Sequence, residues 1–187
     1  KKFWDLIAVN GVISVSTLTE KLESLELVFN PEILVDVSLN TQILTLQRDI
    51  FLIARDTFLE TYDKICNPDD RVGQILQFRV EGERLQSIGD LYGLTRERVR
   101  QIVAKEISKF PLVYEDYFSE PYQYFSMSKE QFIRAFPEVS EEGFGFLAIR
   151  YKKGINKVNE EAVNRYNGLW KERLSDFLDE ENELDDR

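Results

Sequence analysis

Arg96, Glu97, Arg100 and Gln101 stand in the run "TRERVRQI" at spacings i, i+1, i+4 and i+5. On an α-helix that spacing puts all four side chains on one face of the first turn and a half. Their chemistry matches base edges in a DNA major groove. An arginine fork donates two hydrogen bonds to guanine O6 and N7, a carboxylate accepts from cytosine N4, and a glutamine amide matches adenine N6 and N7. Thr95, Arg98 and Lys105 flank this face at positions suited to phosphate, with Lys109 one turn beyond.

To present such a face, the helix needs a buried stripe behind it. Val99, Val103 and Ile107, with Ile102 alongside, have that spacing. The preceding residues complete the requirements of a helix-turn-helix. Ile88, Tyr92, Leu94, Val99 and Ile102 occupy the packing positions, Gly89 the tight crossing, and Gly93 the turn, where positive φ is expected. Thr95 is the expected cap of the second helix, with Glu97 near its positive end. The same pattern also describes a solvated amphipathic helix in a purely structural trihelical bundle, so residue spacing alone leaves both readings open.

Composition narrows the chemistry. The chain has 187 residues, is 43% hydrophobic and carries a net charge of −10. Between Arg84 and Lys109 six basic residues face three acidic ones, a local +3 that leaves −13 on the remainder. An acidic remainder opposes non-specific attraction to DNA. The absence of histidine excludes a Ser-His-Asp triad, a Cys-His dyad and a histidine-ligated metal within these residues. Cys66 is the only cysteine, reads as a small buried hydrophobe, and fits a reducing compartment. No apolar run approaches the length of a membrane span and no secretory signal is visible, so a cytoplasmic location is expected. Acid pairs such as Glu141-Glu142 fall in expected loops without a partner group. No catalytic residue, metal or cofactor is therefore expected, and the chain does not read as an enzyme. It opens on Lys1 rather than methionine, which suggests an internal piece of a longer protein.

"LTRERVRQIVAKEISKF" following "LQSIGDLYG" resembles region 4.2 of the bacterial sigma-70 family, the helix-turn-helix that reads the promoter −35 element. "TRERVRQI" (Thr95 to Ile102) matches the family's run without a change, and "RVGQILQFRVEGE" (Arg71 to Glu83) resembles the helix and loop before it. The resemblance covers about residues 69–110. It implies sequence-directed binding of double-stranded DNA in transcription. It places base reading on Arg96, Glu97, Arg100 and Gln101, the four that helical geometry selects, and puts Arg84, Arg98 and Lys105 near the DNA backbone. It also implies a partner, the flap of the RNA polymerase β subunit. The family's capping threonine of the first helix is Arg84 here, its two acids are Gln86 and Ser87, and its basic end becomes "EISKFP". Weaker backbone affinity is the expected consequence. Nothing resembles the promoter-melting region 2. Two alternatives belong to other classes: a DNA-targeting or regulatory module of a larger nuclease or defence enzyme, and a protein-docking module that no longer meets DNA.

The expected fold is mainly α, in four parts. Residues 1–60 read as a winged-helix-like domain. Phe3, Trp4, Ile7 and Ala8 have helical spacing ended by Asn10-Gly11, Thr17 with Glu20 makes a capping box for a helix through Leu27, and Asn30-Pro31-Glu32 starts another. "QILTLQRDIFLIA" (Gln42 to Ala54) then reads as a hairpin. Residues 61–112 form the helix-turn-helix domain, with "NPDD" (Asn67 to Asp70) as linker and cap. Residues 113–170 read as a small α/β unit. Ser128 and Gln131 cap a short helix, Pro137 stops it, and "FGFLAIRYKKG" (Phe144 to Gly154) is expected to be a strand pair or strand and wing, which would make this unit winged-helix-like too. "RYKKGINK" (Arg150 to Lys157) reads as a solvated turn or a wing touching phosphate. The aromatic run from Tyr114 to Phe125 reads as packing rather than a base-stacking platform, because Glu115, Asp116 and Glu120 interrupt it. Residues 171–187 carry eight acids against three basic residues and read as an acidic terminal helix or tail.

Overall fold

The structure, a computed structural model, describes residues 11–26, 44–47 and 50–185. Among them the chain is mainly helical, and no helix is long and apolar enough to cross a membrane. Two compact units divide it, residues 1–55 and 56–187. The expectations resting on Phe3 to Asn10 and on Asn30 to Glu32 lie outside the described residues.

In the first unit, β1 (Val12–Ser14) runs straight into α1 (Val15–Glu23). Ser14, not Thr17, is the cap: its Oγ accepts from the Thr17 N–H at 3.1 Å. The helix therefore starts three residues earlier than a Thr17 cap implied, because the strand's last residue already supplies the capping oxygen, and it ends at Glu23 rather than Leu27. The expected hairpin forms from β2 (Leu44–Gln47) and β3 (Ile50–Ile53), antiparallel with Gln47 opposite Ile50. β1 adds to the other side of β3, giving the order β1-β3-β2. Ile13, Leu18, Leu22, Ile50 and Leu52 are buried.

The second unit opens with α2 (Phe58–Ile65), held by a reciprocal box between Thr57 and Glu60. Then come α3 (Arg71–Val80), α4 (Leu85–Tyr92) and α5 (Arg96–Ile107), broken near Gly82 and Gly93 as the sequence implies. Asp70 precedes α3 without a side-chain capping bond. A 3-10 turn (Tyr114–Phe118) follows, then α6 (Ser119–Tyr124) and α7 (Lys129–Ala135), whose Ser128–Gln131 box forms as expected. The unit continues with α8 (Glu141–Arg150), α9 (Glu160–Arg165) and α10 (Lys171–Asp185), the acidic terminal helix.

One expectation fails here. "FGFLAIR" is not a strand: it is helical within α8, and among the described residues of 113–170 no strand is formed beyond an isolated Phe125–Asn156 bridge. The alternation Phe144-Gly145-Phe146 imitates a period of two, but the buried residues Gly143, Phe146 and Leu147 follow the helical period. Ser140 caps the helix through the Gly143 N–H at 3.0 Å, and Glu141 and Glu142 fill its first turn rather than a loop. Glu141 also pairs with Lys129 at 2.7 Å. Residues 61–112 and 113–170 both fall in the 56–187 unit. Their shared core explains why. Phe58 stacks on Phe110 at 5.3 Å and on Phe146 at 5.0 Å, and around them lie Tyr62, Ile75, Leu76, Val80, Ile88, Val99, Val103 and Ile107. α8 presses on α3 so closely that a Cβ at Gly145 would lie 1.9 Å from the Val80 carbonyl oxygen.

The aromatic run is packing. Tyr117, Phe118, Tyr122 and Phe125 are buried, and Phe118 stacks on Trp170 at 5.0 Å. The acids within the run tie helices together. Glu115 accepts from the Phe58 N–H at the start of α2 (2.8 Å), and Asp116 accepts from the Val113 N–H (2.7 Å) and the Tyr151 hydroxyl (2.5 Å). Burial pushes the Glu115 carboxyl above its ordinary range. Burial and the Asp116 hydrogen bond push the Tyr151 hydroxyl to about 12.

Candidate nucleic-acid interface

α4 and α5 meet through a tight turn. Gly93 has φ 63° and ψ 39°, the left-handed conformation that ends a helix without strain for glycine. The Leu94 N–H donates back to the Gly89 carbonyl at 2.8 Å. A Cβ on Gly89 would lie 2.5 Å from the Leu94 carbonyl oxygen, so only glycine permits this crossing. Thr95 caps α5, its Oγ1 accepting from the Arg98 N–H at 3.1 Å. α4 is latched to α3 from both ends of Tyr92. Its hydroxyl donates to Gln74 Oε1 at 2.8 Å, its carbonyl accepts from Arg71, and the Arg71 guanidinium lies 5.6 Å from its ring centre.

α5 buries Val99, Val103 and Ile107 and leaves Ile102 half-buried, which fixes its rotation. That rotation exposes Arg96, Glu97, Arg100 and Gln101 together, along with Arg98 and Lys105. The four expected base readers are thus on one outward face. Arg84 is exposed at the residue before α4, without a side-chain capping bond. Lys109 pairs with Glu106 at 2.6 Å.

Three of the four face residues are joined. Glu97 accepts from Arg100 Nε (2.8 Å) and Nη2 (2.7 Å), and from Gln101 Nε2 (3.2 Å). The Arg100 guanidinium first, then the Gln101 amide, holds the Glu97 carboxyl down to about 2. Glu97 stays ionised well below the ordinary carboxylate range, and Arg100 keeps N–H donors beyond those it gives to Glu97. Arg98 reaches Gln101 Oε1 only at 3.4 Å. The Arg96 and Lys105 side chains make no hydrogen bond among the described residues, so their charges face outward. The i, i+3 and i, i+4 spacings of Glu97 with Arg100 and Gln101 already carry this pairing in the sequence.

Two further arginines adjoin the face: Arg79, which the sequence does not single out, and Arg150, which it places in a basic turn or wing. Arg79, in the last turn of α3, and Arg150, in the last turn of α8, line a cleft of about 470 Å³ with Arg100. Arg79 Nη1 donates to the Glu83 carbonyl and Arg150 Nη1 to the Pro111 carbonyl, both at 3.0 Å. Only the fold brings three arginines so far apart in the chain to one place. Two of the four cations in the basic run "RYKKGINK" are tied down. Arg150 lies 3.4 Å from Asp116 and 5.3 Å from the Phe146 ring centre, while Lys153 donates to the Met127 carbonyl and sits over Tyr122 and Phe144 at 5.4 and 5.2 Å. Lys152 and Lys157 remain exposed on a turn rather than on a wing. Comparison of the chain with protein-family models, with curated proteins and with solved structures finds no match to any of them.

Proposed function

We propose that this chain is a sequence-directed double-stranded DNA-binding module of transcription, part of a larger cytoplasmic bacterial protein and not itself an enzyme, with α5 as its recognition helix. The observation that carries the reading is the outward face of α5. Arg96, Arg100 and Gln101 project from the first turn and a half with hydrogen-bond donors that match purine edges, on a helix fixed by a buried stripe and a glycine turn. Resemblance to sigma-70 region 4 supports the same four residues, and with it a docking partner in the RNA polymerase β flap. Arg84, Thr95, Arg98 and Lys105 surround the face where phosphates would run. The order β1-β3-β2, with α1 following β1, supports a winged-helix reading of the first unit.

The test is selection of bound duplexes from a random pool near physiological salt, repeated with the Arg96→Ala/Arg100→Ala double variant. An enriched motif that disappears in the variant is the expected result. No enrichment and no salt-sensitive binding would remove DNA from the reading and leave the helix-turn-helix as scaffold.

A further inference from the structure

The cleft beside α5 has a makeup that base reading does not use. Its floor is apolar, formed by Leu85, Val103, Ile107 and Ile149 with Ala104 and Ala148. Its cations are Arg79, Arg100 and Arg150, and no acidic residue lines it in a chain of net charge −10. The Glu83 carbonyl holds Arg79, and the Pro111 carbonyl with the buried Asp116 carboxylate holds Arg150, so both guanidinium groups are positioned before any ligand arrives. Two of the walls are helices, α5 and α8. Phosphate oxygens would meet the arginines but leave this apolar floor unfilled. A helix with an apolar face flanked by carboxylates fits both halves of the surface.

We infer that this cleft docks an acidic amphipathic helix of a protein partner. Leucine-like side chains enter between Val103 and Ile149, and carboxylates meet the arginine forks. Arg100 belongs both to this cleft and to the outward face of α5. A docked carboxylate therefore competes with Glu97, and with any base edge, for the same guanidinium. Docking and duplex binding are mutually antagonistic in consequence. The docking surface itself does not depend on the DNA reading.

The experiment uses the full 187-residue chain and a fluorescein-labelled helical peptide with leucines at i, i+3, i+4 and i+7 and glutamates between them. The same peptide with glutamine for glutamate is the control. Saturable binding by the acidic peptide is expected, weakened by salt and by the glutamine replacement. Ala148→Glu and Ser108→Glu place a carboxylate on opposite walls at exposed positions, and each should weaken it roughly tenfold or more. Circular dichroism confirms that both variants remain folded. Absence of saturable binding, or binding undiminished in both variants, would overturn the inference. So would variants that lose duplex binding while peptide binding stays intact, because the cleft would then belong to DNA. Since the peptide titration contains no DNA, its failure and a failure of DNA recognition are read separately.

Discussion

Two basic stretches of this chain look alike in sequence and behave oppositely in the fold. Arg96 to Lys105 sits on a helix whose buried stripe turns every cation outward, and among the described residues the groups restraining them are neighbours on the same helix. Arg150 to Lys157 follows a helix whose end is sewn into the body: Arg150 reaches Pro111 and Asp116, and Lys153 covers two rings and a carbonyl. A count of charges cannot separate the two. What separates them is whether the body offers each cation a partner. Where it does, the charge first holds helices together, and only a cation that also lines a cleft, as Arg150 does, can meet a ligand as well; where it does not, the whole charge is available to a ligand.

Arg150→Ala is the strongest way to break this contrast. It leaves Asp116, whose side chain is 4% exposed, without its cation, at a cost of about 2–3 kcal/mol, while Arg100→Ala should change stability by less than ~0.5 kcal/mol. Denaturant unfolding of the two variants checks this, and equal losses would dissolve the distinction. In duplex binding the ranking reverses. Arg96→Ala and Arg100→Ala should each weaken the selected site by roughly 1–3 kcal/mol and relax preference at one base pair. Competition titrations with single-base variants measure it, and a uniform loss on every sequence would contradict direct readout.

The carboxylates sharpen the same comparison through pH. Glu115 is buried and its folded-state pKa is raised by burial. Between the ordinary carboxyl value and that raised value, the folded chain binds a proton the unfolded chain lacks, so stability falls as pH rises through the window. Glu97 is exposed and held down to about 2 by Arg100 and Gln101. Its contribution is present above the ordinary value and is lost as pH falls toward 2. Urea midpoints against pH should flatten on the rising side for Glu115→Gln and change only slightly on the acid side for Glu97→Gln. A midpoint that rises with pH where Glu115 titrates would show that its environment is wrongly assigned. The smallest expected effect is Lys105→Ala, which should weaken all duplexes alike and reduce the salt slope by about one contact. A base-specific effect there would move Lys105 from the backbone to the reading set.

Thr95, Gly93 and the stripe Val99–Val103–Ile107 were legible because each acts within a few residues of itself. A cap, a left-handed turn and a helical period are local physics. The Ser128–Gln131 box and the β2–β3 hairpin were legible for the same reason. Ser14 was harder, since a strand residue doubles as the cap and Thr17 with Glu20 offers an equally good local pattern.

The sequence by itself determined the outward face of α5, because burial of one stripe leaves a single face for Arg96, Glu97, Arg100 and Gln101. Tertiary structure alone decided that "FGFLAIR" is helical, that residues 61–170 share one core around Phe58, Phe110 and Phe146, and that Arg79, Arg100 and Arg150 meet in one cleft. The physical reason is range. Alternating glycine and phenylalanine satisfies both backbone periods locally, and only the contact of Gly145 with the Val80 carbonyl and the burial of Phe146 select between them.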